Sequence, residues 1–124
     1  MDTNGFPHAI HATTANITDR DGALEMFEIY APKLTGVVKV LVDGGYTGEK
    51  FSNAVDAVIN AEAEVAKRSE LHTFVVIPKR WVVERTFGWL EKYRRLWKNC
   101  ERKLSNTLQM TILAFVRLLL NRWK

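Results

Sequence analysis

The order of apolar and polar positions predicts alternating strands and helices in the first half of the chain. Mixed polar and apolar residues over positions 7–14 predict a short strand, and apolar residues at roughly helical spacing predict a helix over 21–33. Positions 37–42 are almost continuously apolar and β-branched, which is typical of a strand covered on both faces. A glycine-rich turn and a helix over about 49–61 follow. This succession of strand, loop and helix indicates the α/β class.

The second half of the chain is predicted to be mostly helical after one further strand. Positions 74–77 are a second candidate for a buried strand, which Pro78 ends. Helical spacing then marks two apolar stripes within a helical segment over about 79–124. The first stripe consists of Trp81, Phe87, Leu90, Tyr93 and Trp97, and the second of Leu108, Ile112, Phe115 and Leu119. We expect the first stripe to be buried and the second to be core or a partner surface.

Charge divides the chain into two unlike halves. Residues 1–78 hold six Lys or Arg against eleven Asp or Glu, a net charge of −5, whereas residues 79–124 hold twelve against three, a net charge of +9. A concentrated basic half is expected of a surface that contacts phosphates. A solvated helix that carries many arginines is the alternative reading of the same pattern.

Length, cysteine content and the absence of common motifs restrict the class of protein. A chain of 124 residues can bury one core but is too short for two, which predicts a single domain over 1–124. Cys100 stands alone, so an internal disulfide is excluded and a cytoplasmic location is favoured. The best apolar stretch, residues 110–120, is interrupted by Arg117 and is shorter than the ~20 residues of a membrane span, so no membrane association is expected. Phosphate-binding loops of the Walker and Rossmann types and a serine nucleophile elbow are absent.

Two carboxylates stand out as candidates for chemistry. Asp43 directly follows the strand over 37–42, where an open α/β sheet usually places ligands, although a simple Asp-Gly-Gly turn explains the spacing equally well. Glu84 lies one turn into the helix after the second strand, where an ion pair with Arg80 is the plainer explanation. Jointly, two carboxylates supply the oxygen ligands that magnesium prefers. Two such ions ~4 Å apart can activate a water and stabilise the leaving oxygen of a phosphodiester.

Three motifs resemble those of a known family. They are Asp43-Gly44-Gly45-Tyr46-Thr47-Gly48, Pro78-Lys79-Arg80-Trp81-Val82-Val83-Glu84-Arg85-Thr86-Phe87-Gly88-Trp89-Leu90 and Arg94-Arg95-Leu96. With the segments 4–5 and 15–23, they resemble DDE transposases of the insertion sequence five group, in the insertion sequence four/five superfamily. The likeness covers essentially the whole chain, as the C-terminal part of the catalytic domain, and the run around Glu84 is its most specific part.

The resemblance implies a fold, a cofactor and a set of site residues. The implied fold is α/β, a ribonuclease-H-like catalytic core that here lacks its first strand, with C-terminal helices. Asp43 matches the second and Glu84 the third of three acids that hold two Mg²⁺ ions, for which Mn²⁺ can substitute. The implied DNA contacts are Arg80, Arg85, Lys92, Arg94, Arg95, Lys98 and Arg102. The family's first aspartate lies upstream of the segment that residues 1–5 match.

The implied activity is DNA transposition, in which DNA strands are cut and transferred by two-metal-ion chemistry. The resemblance implies transposon ends and target DNA as partners and a homo-oligomer as the active complex. Without the first aspartate, a truncated chain or the downstream product of a frameshifted element is expected to be weak or inert alone. One alternative is a catalytically inert DNA-binding fragment that regulates full-length transposase. Another is a helical interaction module whose final apolar helix mediates self-association.

Overall fold

The chain divides into two units. The structure, a computed structural model, describes residues 1–65, 80–98 and 100–122. One unit is Asn16–Ile77, and the other combines Met1–Ala15 with Pro78–Lys124. Each unit is described by itself below.

The unit Asn16–Ile77 is built around a β-α-β arrangement. In chain order its elements are helix α1 (Asp19–Tyr30), strand β1 (Lys39–Val42), helix α2 (Glu49–Ile59) and strand β2 (Glu62–Val65), with 3₁₀ turns at Ala31–Lys33 and Gly44–Tyr46. Strands β1 and β2 pair in parallel, from Lys39 opposite Glu62 to Val42 opposite Val65. Two parallel strands need a crossover connection, and α2 supplies it. The predicted α/β order is therefore confirmed in this unit.

The core of this unit lies between the two helices and one face of the sheet. Its buried members are Phe27, Leu34, Phe51, Val55, Ile59 and Ala61. Phe51, Val55 and Ile59 recur every four residues along α2, so they form one apolar face of that helix. The half-buried Val40 and Val42 of β1 pack against this core. The core therefore holds β1 in place through alternate side chains.

The prediction that β1 is covered on both faces is wrong. Its side chains alternate between exposed and half-buried, and Leu41 is 44% exposed. On the exposed face, Lys39 Nζ lies 2.7 Å from an oxygen of Glu64 and 3.6 Å from one of Glu62. Within the described residues α1 and α2 cover one face of the sheet, which leaves the other face to this ion-pair group.

The remaining strand predictions have different outcomes. The strand predicted over 7–14 is wrong, because that segment pairs with no strand in the part of the chain that the structure describes. The strand predicted over 74–77 lies outside the described residues. Strand β2 was not predicted.

In the second unit the described residues of 80–122 are mostly helical, as predicted for residues 79–124, whereas residues 1–15 contain no helix. The unit contains α3 (Arg80–Glu91), α4 (Arg94–Trp97) and α5 (Leu104–Arg122). Val82 and Thr86, one turn apart, are the buried positions of α3, whereas Trp81 and Phe87 are 51% and 56% exposed. The predicted burial of Trp81 and Phe87 is therefore wrong, since the side of α3 that carries Val82 and Thr86 packs against the first residues of the chain.

Helix α5 has a mixed environment. Ala114, Phe115 and Leu118 are buried, whereas Leu119 of the predicted stripe is 42% exposed. Within residues 1–65, 80–98 and 100–122, no helix is both long and apolar enough to cross a membrane.

Candidate catalytic carboxylates and DNA-binding surface

Asp43 is an exposed carboxylate at the carboxyl end of β1. Its Oδ1 accepts a hydrogen bond of 2.9 Å from the amide of Gly45, which caps the 3₁₀ turn Gly44–Tyr46. Among the described residues, its Oδ2 has no hydrogen-bond partner. The reading of Asp43 as a turn residue is therefore confirmed, because its Oδ1 holds the turn, whereas its reading as a ligand-binding carboxylate stays a prediction.

The loop that follows Asp43 is tied to the start of α1. Arg20 Nε donates a hydrogen bond of 2.8 Å to the carbonyl oxygen of Gly45. This bond borders a concavity of about 420 Å³ that also includes Thr18, Asp19 and Asp21. The Asp43 loop is thereby fixed by a helix rather than by its own turn alone.

Tyr46 anchors the same loop from the core side. Its ring lies 5.3 Å from the ring of Phe51, centroid to centroid. Burial, followed by the negative charges of Asp19 and Asp43, raises the pKa of Tyr46 above its ordinary value of 10.0. Tyr46 therefore stays neutral near Asp43 at physiological pH and adds no competing charge.

Glu84 is exposed on the second turn of α3. It lies two residues from Val82 and two from Thr86, so the helix that buries those side chains turns Glu84 toward solvent. The predicted ion pair with Arg80 lies outside the described residues, because the Arg80 side chain does. Helix α3 thus presents Glu84 on its solvent-exposed side.

The two acids belong to different units, and each position is described within its own unit. In residues 1–65, 80–98 and 100–122, no three His, Cys, Asp or Glu side chains are grouped closely enough to hold a metal ion. The donor type nevertheless fits a hard divalent cation, because Asp43 offers an open carboxylate oxygen and hard cations bind oxygen ligands.

Arg85, next to Glu84, is held by the fold. Its guanidinium carbon lies 4.5 Å from the ring centroid of Trp81 and 4.8 Å from that of Trp89, one helical turn to either side. Its Nη2 donates a hydrogen bond of 2.6 Å to the carbonyl oxygen of Asn4. Its Nε is buried without a hydrogen-bond partner among the described residues. These contacts give Arg85 a structural role, and its contact with DNA stays a prediction.

Thr86 makes a second, buried contact between α3 and the first residues of the chain. Its side chain is fully buried, and its Oγ1 lies 2.8 Å from the carbonyl oxygen of Gly5 and 2.9 Å from that of Val82. Gly5 has a φ of +84°, and a Cβ there would lie 2.5 Å from Thr86 Oγ1. Only glycine fits this position without strain.

Asp2 stabilises the turn that carries Gly5. Its Oδ1 accepts hydrogen bonds of 2.8 and 3.0 Å from the amides of Asn4 and Phe6, and its Oδ2 lies 3.1 Å from His8 Nε2. Burial acts to raise the pKa of Asp2, but the hydrogen bonds, led by that of Phe6, outweigh it and hold the pKa below 3.8. These hydrogen bonds give Asp2 a structural role.

Where the structure describes them, the predicted DNA contacts lie on the unit that contains α3, α4 and α5. Lys92, Arg94, Lys98 and Arg102 are exposed. The side chains of Arg80 and Arg95 lie outside the described residues. Lys92 borders a second concavity, on which Arg117 and Arg122 of α5 also lie. Sequence reasoning did not place these two arginines in a site, although Arg117 was visible as an interruption of an apolar run.

The chain is similar to known transposases. Residues 1–119 match the family described as "Transposase DDE domain". The chain is also 36% identical over 110 residues to the "Putative transposase for insertion sequence element IS402" of Burkholderia cepacia. The matched region covers 82% of this chain and 51% of that protein, so this chain spans about half the length of the curated relative. No solved structure matches the chain.

Proposed function

Because this chain belongs to the transposase DDE domain family, we propose that it is part of the catalytic domain of an insertion-sequence transposase, which cleaves DNA and transfers its strands. The observation that carries this proposal is Asp43, an acid at the end of a parallel strand with one oxygen held and one open. We place the chain in the insertion sequence five group, with a ribonuclease-H-like core.

We assign Asp43 and Glu84 the roles of second and third catalytic acid, which together hold divalent metal ions. When bound by these acids, magnesium, or manganese in its place, would offset the negative charge that develops on the phosphodiester. The Gly45 amide holds Asp43 Oδ1, so Oδ2 faces a ligand without first having to be ordered. Glu84 gains the same advantage from α3, which Val82 and Thr86 fix by their burial. The first acid of the triad is assigned to no residue of this chain.

The exposed basic residues of the second unit are proposed to contact DNA phosphates. Lys92, Arg94 and Arg102 are each exposed, and residues 79–124 carry a net charge of +9. Phosphate contacts of this kind release counterions, so the affinity for DNA is expected to fall steeply with salt. The single exposed thiol of Cys100 supports the proposal that the protein acts on DNA in a reducing cytoplasm.

An inert DNA-binding fragment that regulates full-length transposase is the second candidate. It is favoured by the concentration of exposed cations in the unit of α3, α4 and α5, which is enough for binding without chemistry. The two candidates differ in one respect: only the first requires Asp43 and Glu84.

The test uses this chain complemented with a polypeptide that supplies the upstream half of the domain. Asp43→Asn and Glu84→Gln keep side-chain size but remove the charge that a metal needs. We expect both to abolish magnesium-dependent cleavage of labelled transposon-end DNA while DNA retention persists. The matched controls Asp56→Asn and Glu28→Gln, at exposed acids of α2 and α1, should cleave normally.

Cleavage that survives both amide substitutions would contradict the assignment of the two acids. Salt-sensitive DNA retention by a complemented chain that never cleaves would favour the inert fragment. A chain that retains no DNA would instead favour an interaction module.

A further inference from the structure

A concave pocket on the unit of α3, α4 and α5 combines cations with aromatic rings. Its volume is about 400 Å³. The lining residues that bear on its chemistry are Trp89, Lys92, Tyr93, Arg117, Asn121 and Arg122. None of the residues that line it within the described part of the chain is acidic. The pocket is a shallow, open concavity, and it gathers several positive charges on one patch of this unit.

Arg122 lies directly over Trp89. Its guanidinium carbon is 3.7 Å from the centre of the indole ring and 5.9 Å from the ring of Phe6. A guanidinium that stacks on a ring uses its flat face, so the N–H donors in its plane stay available. Among the described residues Arg122 has neither a hydrogen bond nor an acidic partner. Its donors are thus held in place and unused.

Arg117 makes a similar but looser contact with the ring of Tyr93. Its guanidinium carbon lies 5.9 Å from the ring centre of Tyr93. Arg117 and Asn121 are one turn apart on α5, and Trp89, Lys92 and Tyr93 have helical spacing at the end of α3 and just beyond it. Neither Arg117 nor Lys92 pairs with an acid in the described residues. Three cations therefore share one recess without a counter-charge, and an anion would relieve their mutual repulsion.

We propose that this pocket binds a backbone phosphate of DNA, an inference that rests on the proposed function and extends it to Arg117 and Arg122. The planar donors of arginine match two phosphate oxygens at once, and Lys92 adds a point charge. Asn121 offers an amide to the adjoining sugar or phosphate. Because the rings already hold the two arginines, less side-chain freedom is lost when the phosphate binds. A phosphate contact fixes position and carries no sequence information.

The test measures the binding of the full chain to a short fluorescein-labelled DNA duplex of arbitrary sequence, by anisotropy across a range of salt. Arg117→Gln and Arg122→Gln should each weaken binding about tenfold at low salt, as loss of a charge-assisted contact does. Each should also reduce the slope of log affinity against log salt by about one. Lys33→Gln is the matched control, since Lys33 is also a cation over a ring, 5.8 Å from Tyr30, and should bind like wild type.

A second variant guards against loss of folding at Arg122, which packs on two rings. Arg122→Lys keeps the charge, so it should keep the salt slope while losing part of the affinity. Arg117→Gln disturbs only the looser contact with Tyr93 among the described residues, and a wild-type thermal unfolding curve would verify its fold.

Wild-type affinity and slope in both glutamine variants would overturn the pocket, yet leave the proposed function intact, because the wild-type chain would still bind DNA. A wild-type chain without salt-sensitive DNA binding would overturn the pocket as well. Failure of the catalytic proposal is seen separately, in cleavage by the Asp43 and Glu84 variants, which should bind DNA normally.

Discussion

Replacing Gly5 by alanine should strongly destabilise the unit that carries Glu84. The backbone at Gly5 has a φ of +84°, and a left-handed backbone costs a residue with a Cβ roughly 1–2 kcal/mol. The added methyl would also lie 2.5 Å from Thr86 Oγ1, and overpacking of a buried site costs about 1–3 kcal/mol. The two effects together predict a loss of roughly 2–5 kcal/mol in the free energy of unfolding. That is a large part of the 5–15 kcal/mol that is typical of a folded domain, taken as an order-of-magnitude guide.

Tryptophan fluorescence during urea unfolding is the assay of choice. All four tryptophans lie within residues 78–124, so their emission reports the unit that contains Gly5 and Thr86. Gly88→Ala is the matched control in α3, because a Cβ there meets nothing within 4 Å. It should stabilise the protein by about 0.5–1 kcal/mol, as alanine does in place of glycine within a helix.

A double-mutant cycle separates the steric part from the backbone part. Thr86→Ala removes the atom that the new methyl would meet, so Gly5→Ala should cost about 1–3 kcal/mol less in that background. Strictly additive changes, or a Gly5→Ala variant within about 0.5 kcal/mol of wild type, would refute the packing of Thr86 on Gly5.

Three further predictions test the local structure. Asp2→Asn should remove a stabilisation that acts at neutral pH. Because folding lowers the pKa of Asp2, this stabilisation is fully present above pH 3.8 and is lost as the pH falls through the folded pKa. The urea midpoints of wild type and variant should therefore converge in acid. Thr18→Ala removes the side chain that accepts a hydrogen bond from the Asp21 amide at the start of α1. It should lower the free energy of unfolding by about 1 kcal/mol, measured by circular dichroism. Asn60→Gly should raise stability by about 0.5 kcal/mol in the same assay, since Asn60 ends α2 in the left-handed conformation.

Local sequence patterns were sufficient where the structure depends on neighbours along the chain. Helices α1 and α2, strand β1 and the position of Asp43 at its end all follow from short-range periodicity and turn residues. Strand β2 was missed because the sequence Glu62-Ala63-Glu64-Val65 has little strand propensity. Its charged side is explained only by Lys39 on the neighbouring strand.

Patterns failed where burial is decided by residues far away in sequence. The most apolar stripe of α3 was expected to be buried, yet the buried polar Thr86 faces the carbonyl oxygen of Gly5, 81 positions away. Periodicity carries no information about such a partner. The same limit applies to Arg122, whose place over Trp89 depends on how α3 and α5 pack together.

The division of the chain has a consequence for how it is synthesised. Residues 1–15 leave the ribosome before the rest of their unit, because the α3 side chains that hold Asn4 and Gly5 are made 81 positions later. Residues 16–77, by contrast, form a unit from one continuous stretch. Residues 16–77 can therefore fold while translation continues. Residues 1–15, in contrast, form their contacts only when residues of α3 are available, which closes a long loop. Folding of the unit that carries Glu84 is thus expected to be the later step.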